Sequence, residues 1–122
     1  MSDLTESGME PHVVYITTTN RDEAALIART LVEERLIACG NIVPDVTSIY
    51  RWQGSIHQDN ETLLIAKTTR TRVSELIDRV RSIHSYECPV ITVWPITDGN
   101  PEYLQWIRDQ TTGGDATDNT QT

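Results

Sequence analysis

From Ala38 to Trp52 the chain is apolar and rich in β-branched residues, and from Ser55 to Thr69 it is so again, with Gln53-Gly54 between them. Two strand-like runs joined by a two-residue turn, with glycine free to take positive φ, predict a β-hairpin. Its length is the constraint. A strand from Cys39 to Trp52 extends about 45 Å at ~3.3 Å per residue, whereas a compact domain of about 100 residues has a radius of gyration of only ~13 Å. Pro44-Asp45 interrupts the first run as a bulge or an edge position. Unless that bend folds the hairpin back on a monomer, it projects beyond its own domain. It then exposes Ile49, Tyr50, Trp52 and unpaired strand edges, which invite aggregation unless partners cover them. The expectation is a homo-oligomer assembled through the hairpin.

The flanking segments supply the rest of a fold. His12 to Thr19 is β-branched and aromatic, a strand by composition. Asn20 with Glu23 three residues later forms a capping-box arrangement. Ala24, Ile27, Ala28, Leu31 and Val32 then recur at helical spacing, predicting a helix to about Leu36. Thr71 is placed to cap a second helix, whose buried face is Val73, Leu76, Ile77, Val80 and Ile83 and whose end falls near His84. Cys88-Pro89 breaks that pattern, and Val90 to Trp94 reads as a buried strand. Asp98-Gly99-Asn100 forms a turn, and Pro101 suits the first position of a last helix anchored by Leu104 and Ile107. The order is two βαβ units split by a hairpin. It predicts an α+β fold: a ferredoxin-like split β-α-β sandwich with an extended hairpin and an extra C-terminal helix.

Length and charge set limits on function. The 122 residues make one domain. Residues 1–11 and 111–122 lack large apolar runs and read as disordered tails around a body at 12–110. Five of the 18 acidic residues lie in these ends, so the body carries 13 acidic against 10 basic side chains. No basic stripe exists, which argues against nucleic-acid binding. No apolar run approaches the ~20 residues that span a bilayer, so no membrane association is expected. The polar, acidic start does not resemble a secretory signal, and the cytoplasm is the expected location. Cys39 and Cys88 lie far apart, so neither a disulfide framework nor a zinc ribbon is indicated.

Glycine-rich phosphate loops, nucleophile elbows, C-x-x-C pairs and H-E-x-x-H helices are all absent from the sequence. The remaining candidates each carry two readings. Cys39 is a small core residue, a thiolate ligand or a nucleophile. His84, at a helix C-terminus, interacts with the helix dipole or acts as a metal ligand or pocket donor, with Tyr86 placed to share that site. Lys67, the only lysine, pairs with Glu61 or another carboxylate, or binds an anion or small molecule. Tyr50 and Trp52 share one sheet face, as an interface or as a stacking platform for a ligand. His57 falls on the solvated part of the hairpin, and Glu87 in a loop.

At Ala38-Cys39-Gly40-Asn41-Ile42-Val43-Pro44, Ser48-Ile49-Tyr50-Arg51-Trp52-Gln53-Gly54 and Lys67-Thr68 the chain resembles the CutA divalent-cation-tolerance proteins. His84, Tyr86, Pro89, Pro95-Ile96, Asn100, Tyr103-Leu104 and Trp106 extend the match over nearly all of 12–110. The resemblance implies a homotrimer built through long hairpins and similar in architecture to the PII signalling trimers. It also implies a link to divalent ions, copper in particular, and a cleft between subunits. Two departures accompany it: His84-Ser85-Tyr86 and Pro89-Val90 stand where the family usually has His-Pro-Tyr and Pro-Glu. The cysteine that some relatives carry in the first strand is missing at Ile16-Thr17, and their second histidine is Ile83 here.

Two function classes follow. The first is a metal-tolerance trimer with no required cofactor. It binds Cu(II) or another divalent ion through His84, with Cys39 or a neighbouring subunit supplying further ligands. The second is a PII-like signalling or scaffold trimer that takes a small anion or a protein partner in the inter-subunit cleft lined by Tyr50, Trp52, Glu61, Lys67 and Tyr86. Catalysis is not expected, because no group orients a Cys39–His84 pair.

Overall fold

β-branched runs and two capped amphipathic segments fold as the alternation requires. The computed structural model describes residues 8–112. It orders β1 (Pro11–Thr18), α1 (Arg21–Glu33), β2 (Cys39–Trp52), β3 (Ser55–Thr69), a 3-10 turn (Arg70–Arg72), α2 (Val73–Ile83), β4 (Ile91–Pro95) and α3 (Pro101–Gln110). The four strands form one antiparallel sheet in the order β2-β3-β1-β4. This is the α+β, ferredoxin-like arrangement with its long hairpin and additional C-terminal helix.

One sheet face is dry. Val14, Ile16, Leu64 and Ala66 meet Ala24, Ile27 and Leu31 of α1 and Leu76 and Val80 of α2 in a single core. Gly40 sits where α1 crosses the sheet: a Cβ there would lie 2.9 Å from Leu64 Cδ1 and 3.3 Å from Ala28 Cβ. Gly40→Ala is therefore expected to overpack the seam and cost roughly 1–3 kcal/mol, read as a lower urea midpoint at unchanged slope.

Local signals act where expected at several ends. Asn20 Oδ1 accepts the Glu23 N–H at 2.9 Å, and Asn100 Oδ1 accepts the Glu102 N–H at 3.1 Å with Pro101 opening α3. Gln53 and Gly54 take φ of 51° and 84°, the left-handed pair of a tight hairpin turn. Three expectations are corrected. α1 stops at Glu33 rather than near Leu36, because Arg35 turns left-handed (φ 61°). The Leu36 N–H then returns to Leu31 C=O and the Arg35 N–H to Val32 C=O, a Schellman cap without glycine. Thr71 does not cap α2: it lies in the 3-10 turn, and its N–H donates to Gly8 C=O. β4 is an edge strand paired only with β1 among the described residues. Val90 and Trp94 are 44% and 45% exposed, so it is not a buried strand.

Packing contacts also reach a little past 12–110. β1 opens at Pro11, and Arg108 Nε donates to Met9 C=O. Thr111 is 2% exposed and bonds Thr69 Oγ1, so chain packing continues one residue past α3. The remaining parts of the expected tails, 1–7 and 113–122, lie outside the described residues.

Candidate functional site

β1 pairs with β3 only as far as Thr18 opposite Thr62. Beyond that row β2 and β3 continue alone to Trp52 opposite Ser55, as a two-stranded ribbon. Its seven β3 residues, 55–61, span about 23 Å at ~3.3 Å each. Such a ribbon is marginal by itself, and its large side chains are open: Ile49 is 66%, Ile56 67%, Trp52 52% and Tyr50 41% exposed.

The Pro44-Asp45 interruption decides which way this ribbon faces. The ladder shifts between Val43 and Val46, with Asp45 at φ 64°, so two residues of β2 oppose the single Thr62. A one-residue slip exchanges the two faces of a strand. Before the bulge Cys39, Asn41 and Val43 share a face with Lys67, Ile65 and Leu63; after it, Val46, Ser48, Tyr50 and Trp52 share that face with Glu61, Asp59, His57 and Ser55. This is the sheet face away from α1 and α2. On it Tyr50 stacks on His57 with ring centroids 5.5 Å apart, and its hydroxyl donates to Asp59.

Where the ribbon leaves the sheet, three chain segments converge. The His84 side chain is fully buried. Its Nε2–H donates to Thr17 C=O at 2.8 Å, and its Nδ1 accepts the Tyr86 N–H at 3.0 Å, which fixes the neutral Nε2–H tautomer. The Tyr86 ring lies 4.6 Å from the imidazole, centroid to centroid. Its O–H donates at 2.6 Å to Oε2 of Glu61, which is 9% exposed. Burial, and then the Glu61 carboxylate, push the Tyr86 hydroxyl well above the usual tyrosine value. Glu23 closes the cluster from the first turn of α1. Its Oε1 accepts the Thr19 N–H at 2.9 Å, its Oε2 accepts the Ser85 N–H at 2.7 Å, and the same oxygen lies 3.7 Å from His84 Nδ1. A proline at 85 would carry no such N–H. Beside the cluster, the Thr19–Asp22 turn faces Pro44, Asp45 and Asn60 across an open cleft of about 450 Å³.

Burial raises the Glu23 carboxyl, but the hydrogen bonds from the Thr19 N–H and from the Ser85 hydroxyl and N–H outweigh it and hold the net value below the usual carboxylate range. A carboxyl lowered in the folded state contributes stability above its unfolded pKa, ~4.3, and loses it as pH falls through the lower folded value. Glu23→Gln is thus expected to be less stable than wild type near neutral pH, with the gap closing in acid below about pH 4. Urea midpoints of both proteins at the two pH values check this.

The structure brings together His84, Tyr86 and Glu61 but separates the other candidates. Cys39 bonds Tyr103 Oη at 3.3 Å, in the row of Lys67 and Val13, four residues up β1 from Thr17. Burial and the Cys39 thiol push the Tyr103 hydroxyl up to about 12. Lys67 does not pair with Glu61: the two stand six residues apart on one strand, about 20 Å at ~3.3 Å each, and Lys67 Nζ donates to Asn41 Oδ1 at 3.2 Å. Tyr50 and Trp52 stand out on the ribbon. Sequence reasoning missed Glu23 and Thr17. Glu23 was visible as a helix-capping residue, but nothing local announced its second oxygen reaching Ser85, a contact across 62 residues.

A soft metal site built from His84 and Cys39 of one chain does not fit this geometry. Both imidazole nitrogens are engaged, the thiol lies several ladder rows away, and no three His, Cys, Asp or Glu side chains converge among the described residues. No helix among the described residues is long and apolar enough to cross a membrane.

The family model described as CutA1 divalent ion tolerance protein matches residues 12–110. The chain is 52% identical over 99 residues to the divalent-cation tolerance protein CutA of Thermus thermophilus, covering 81% of this chain and 96% of that one. It is 50% identical over 96 residues to the CutA homolog of Xenopus laevis, covering 78% of this chain but 63% of the longer relative. A solved structure of the divalent cation tolerance protein from Thermus thermophilus superposes with a TM-score of 0.81 at 50% identity, over 83% of this chain and 98% of that one.

Proposed function

The chain belongs to the CutA1 divalent ion tolerance protein family, and from that premise we propose that it is a homotrimer that takes up divalent metal ions, copper among them, in clefts between its subunits. The observation that carries this reading is the ribbon beyond Thr18 and Thr62, which leaves the domain with Ile49, Tyr50, Trp52 and Ile56 exposed. A second copy covers such a surface most simply, since among the described residues β4 also offers an unpaired edge flanked by Trp94. Neighbouring hairpins then roof the cluster at Thr17, Glu61, His84 and Tyr86. In this reading His84 orients the cleft by holding Tyr86, and the protein binds rather than catalyses. The two free thiols suit a reducing compartment such as the cytoplasm. The anion-binding alternative has less support, because Lys67 is remote from the cleft and the buried Glu61 carboxylate repels anions.

Equilibrium dialysis of Cu(II) against the full chain, with glycine present to strip loosely held metal, tests the reading. Saturation at a whole number of ions per trimer, weakened when His84→Ala releases Tyr86, supports it. Unsaturable uptake that is equal in both proteins rejects it.

A further inference from the structure

Cys39 opens β2 and is a half-buried free thiol. Its Sγ meets the Tyr103 hydroxyl, 64 residues further along the chain, at 3.3 Å. Tyr103 in turn stacks on Trp106, its neighbour on the same face of α3, with ring centroids 5.6 Å apart and planes 21° from parallel. Both rings reach solvent, at 38% and 39% exposure. An indole, a phenol and a thiol thus stand in unbroken contact from the surface of α3 to the start of β2. These are among the side chains that give up one electron most readily.

The other aromatic groups lack this continuity. Tyr15 lies against Trp94 with centroids 6.0 Å apart, but among the described residues it has no hydrogen bond to a thiol. Tyr50 and Tyr86 give their hydroxyls to Asp59 and Glu61. Cys88 is an exposed thiol with no aromatic hydroxyl bonded to it among the described residues. The order of the three groups also suits inward transfer. A neutral indolyl radical oxidises a phenol, so an electron passes from Tyr103 to an oxidised Trp106. Burial and the Cys39 thiol push the Tyr103 hydroxyl above the usual tyrosine value, so at neutral pH it loses a proton with its electron. The phenoxyl oxygen left behind only accepts a hydrogen bond. The Cys39 S–H then donates across the same 3.3 Å contact, placed to pass on its hydrogen atom.

We infer that Trp106, Tyr103 and Cys39 form a one-electron relay, which takes up an oxidising equivalent at the exposed indole and delivers it to a thiol that a small-molecule thiol repairs. A radical oxidant takes one electron from Trp106, which sheds its N–H proton to water. The indolyl radical takes an electron from Tyr103 and a proton from water, restoring the indole, while the Tyr103 proton leaves to water. The phenoxyl radical then takes the Cys39 hydrogen atom: an O–H bond forms, an S–H bond breaks, and the thiyl radical remains on Sγ. A small thiol returns a hydrogen atom to Sγ and carries the radical away. All three groups belong to one subunit, so the relay depends neither on metal uptake nor on assembly.

Azide radical, which oxidises indoles selectively, is the probe. It is generated by pulse radiolysis of the full chain in metal-free buffer. Transient absorption follows the radicals, and in a parallel run a nitrone trap with peptide mass spectrometry locates the thiyl radical. In wild type the tryptophanyl signal is expected to pass into a phenoxyl signal that then fades, with the nitrone adduct on Cys39. Cys39→Ser and Cys39→Ala are expected to lengthen the phenoxyl lifetime several-fold. Tyr103→Phe and Trp106→Phe, which keep an aromatic ring in place, are expected to cut the Cys39 adduct several-fold. Tyr15→Phe and Cys88→Ser should leave it unchanged, and circular dichroism confirms that each variant folds. A purely packing role for the three side chains would move urea midpoints without moving these radical yields. Equal Cys39 adduct in wild type and Tyr103→Phe overturns the relay. An adduct confined to Cys88, or a phenoxyl lifetime indifferent to loss of the Cys39 thiol, overturns it as well.

Discussion

A variant carrying Ile49→Asp and Trp52→Asp is expected to sediment as a folded single chain under conditions where the wild type is expected to sediment as the proposed trimer. Both side chains are more than half exposed on the isolated subunit and lie on the ribbon that leaves the sheet. Covering them with a neighbour is worth about 1.5–3 kcal/mol each. Replacing them with carboxylates removes that gain and adds the cost of burying charge. At ~1.4 kcal/mol per tenfold in affinity, the loss from each subunit moves the equilibrium by several orders of magnitude. The core at the other end of the sheet is untouched, so the far-ultraviolet spectrum stays native. A variant that remains trimeric would place the subunit seam elsewhere.

Leu64→Ala has the opposite signature, with assembly lost only because the subunit unfolds. Leu64 is fully buried at the middle of β3, in the core beneath α1 and against Gly40. Deleting its isobutyl group from that packed site costs about 2–5 kcal/mol. A domain of this kind has a total stability of roughly 5–15 kcal/mol, so a large share disappears. The urea midpoint falls steeply with the slope unchanged. A drop no larger than that of an exposed substitution such as Arg81→Ala would contradict the assignment of Leu64 to the core.

Much of the fold is written locally. The β-branched composition of β1, the capping box at Asn20, Pro101 at the start of α3 and the Gln53-Gly54 turn act through neighbours in sequence, and each has the predicted effect. The misplaced boundaries depend on distant contacts. The left-handed Arg35 ends α1 with no glycine to announce it. Arg35 is tied to Gln110 C=O, and Leu36 beyond it is buried in the core. β4 is as apolar as a central strand, yet the sheet order makes it an edge. The bulge was legible at Pro44-Asp45, but its consequence was not. Only the register with β3 shows that it turns Tyr50 and Trp52 onto the face of Glu61.

The site was legible in part. His84 and Tyr86, two residues apart at a helix end, were readable as partners. The Tyr86–Glu61 bond spans 25 residues and the His84–Thr17 bond 67, and no periodicity encodes either. The Lys67–Glu61 pairing failed because strand geometry keeps residues six apart on one strand from meeting. Thr17 drew no attention because a threonine in a strand is ordinary by composition. Its unpartnered hydroxyl becomes visible only once the fold buries it.

The central claim is that the ribbon is half of an interface and that a subunit is incomplete alone. Native mass spectrometry of the full-length wild-type chain at micromolar concentration tests it most directly. The account predicts a species of three times 13.8 kDa that persists on dilution. A 13.8 kDa species alone at every concentration would contradict it, leaving the hairpin folded against its own domain and the cleft without its other wall.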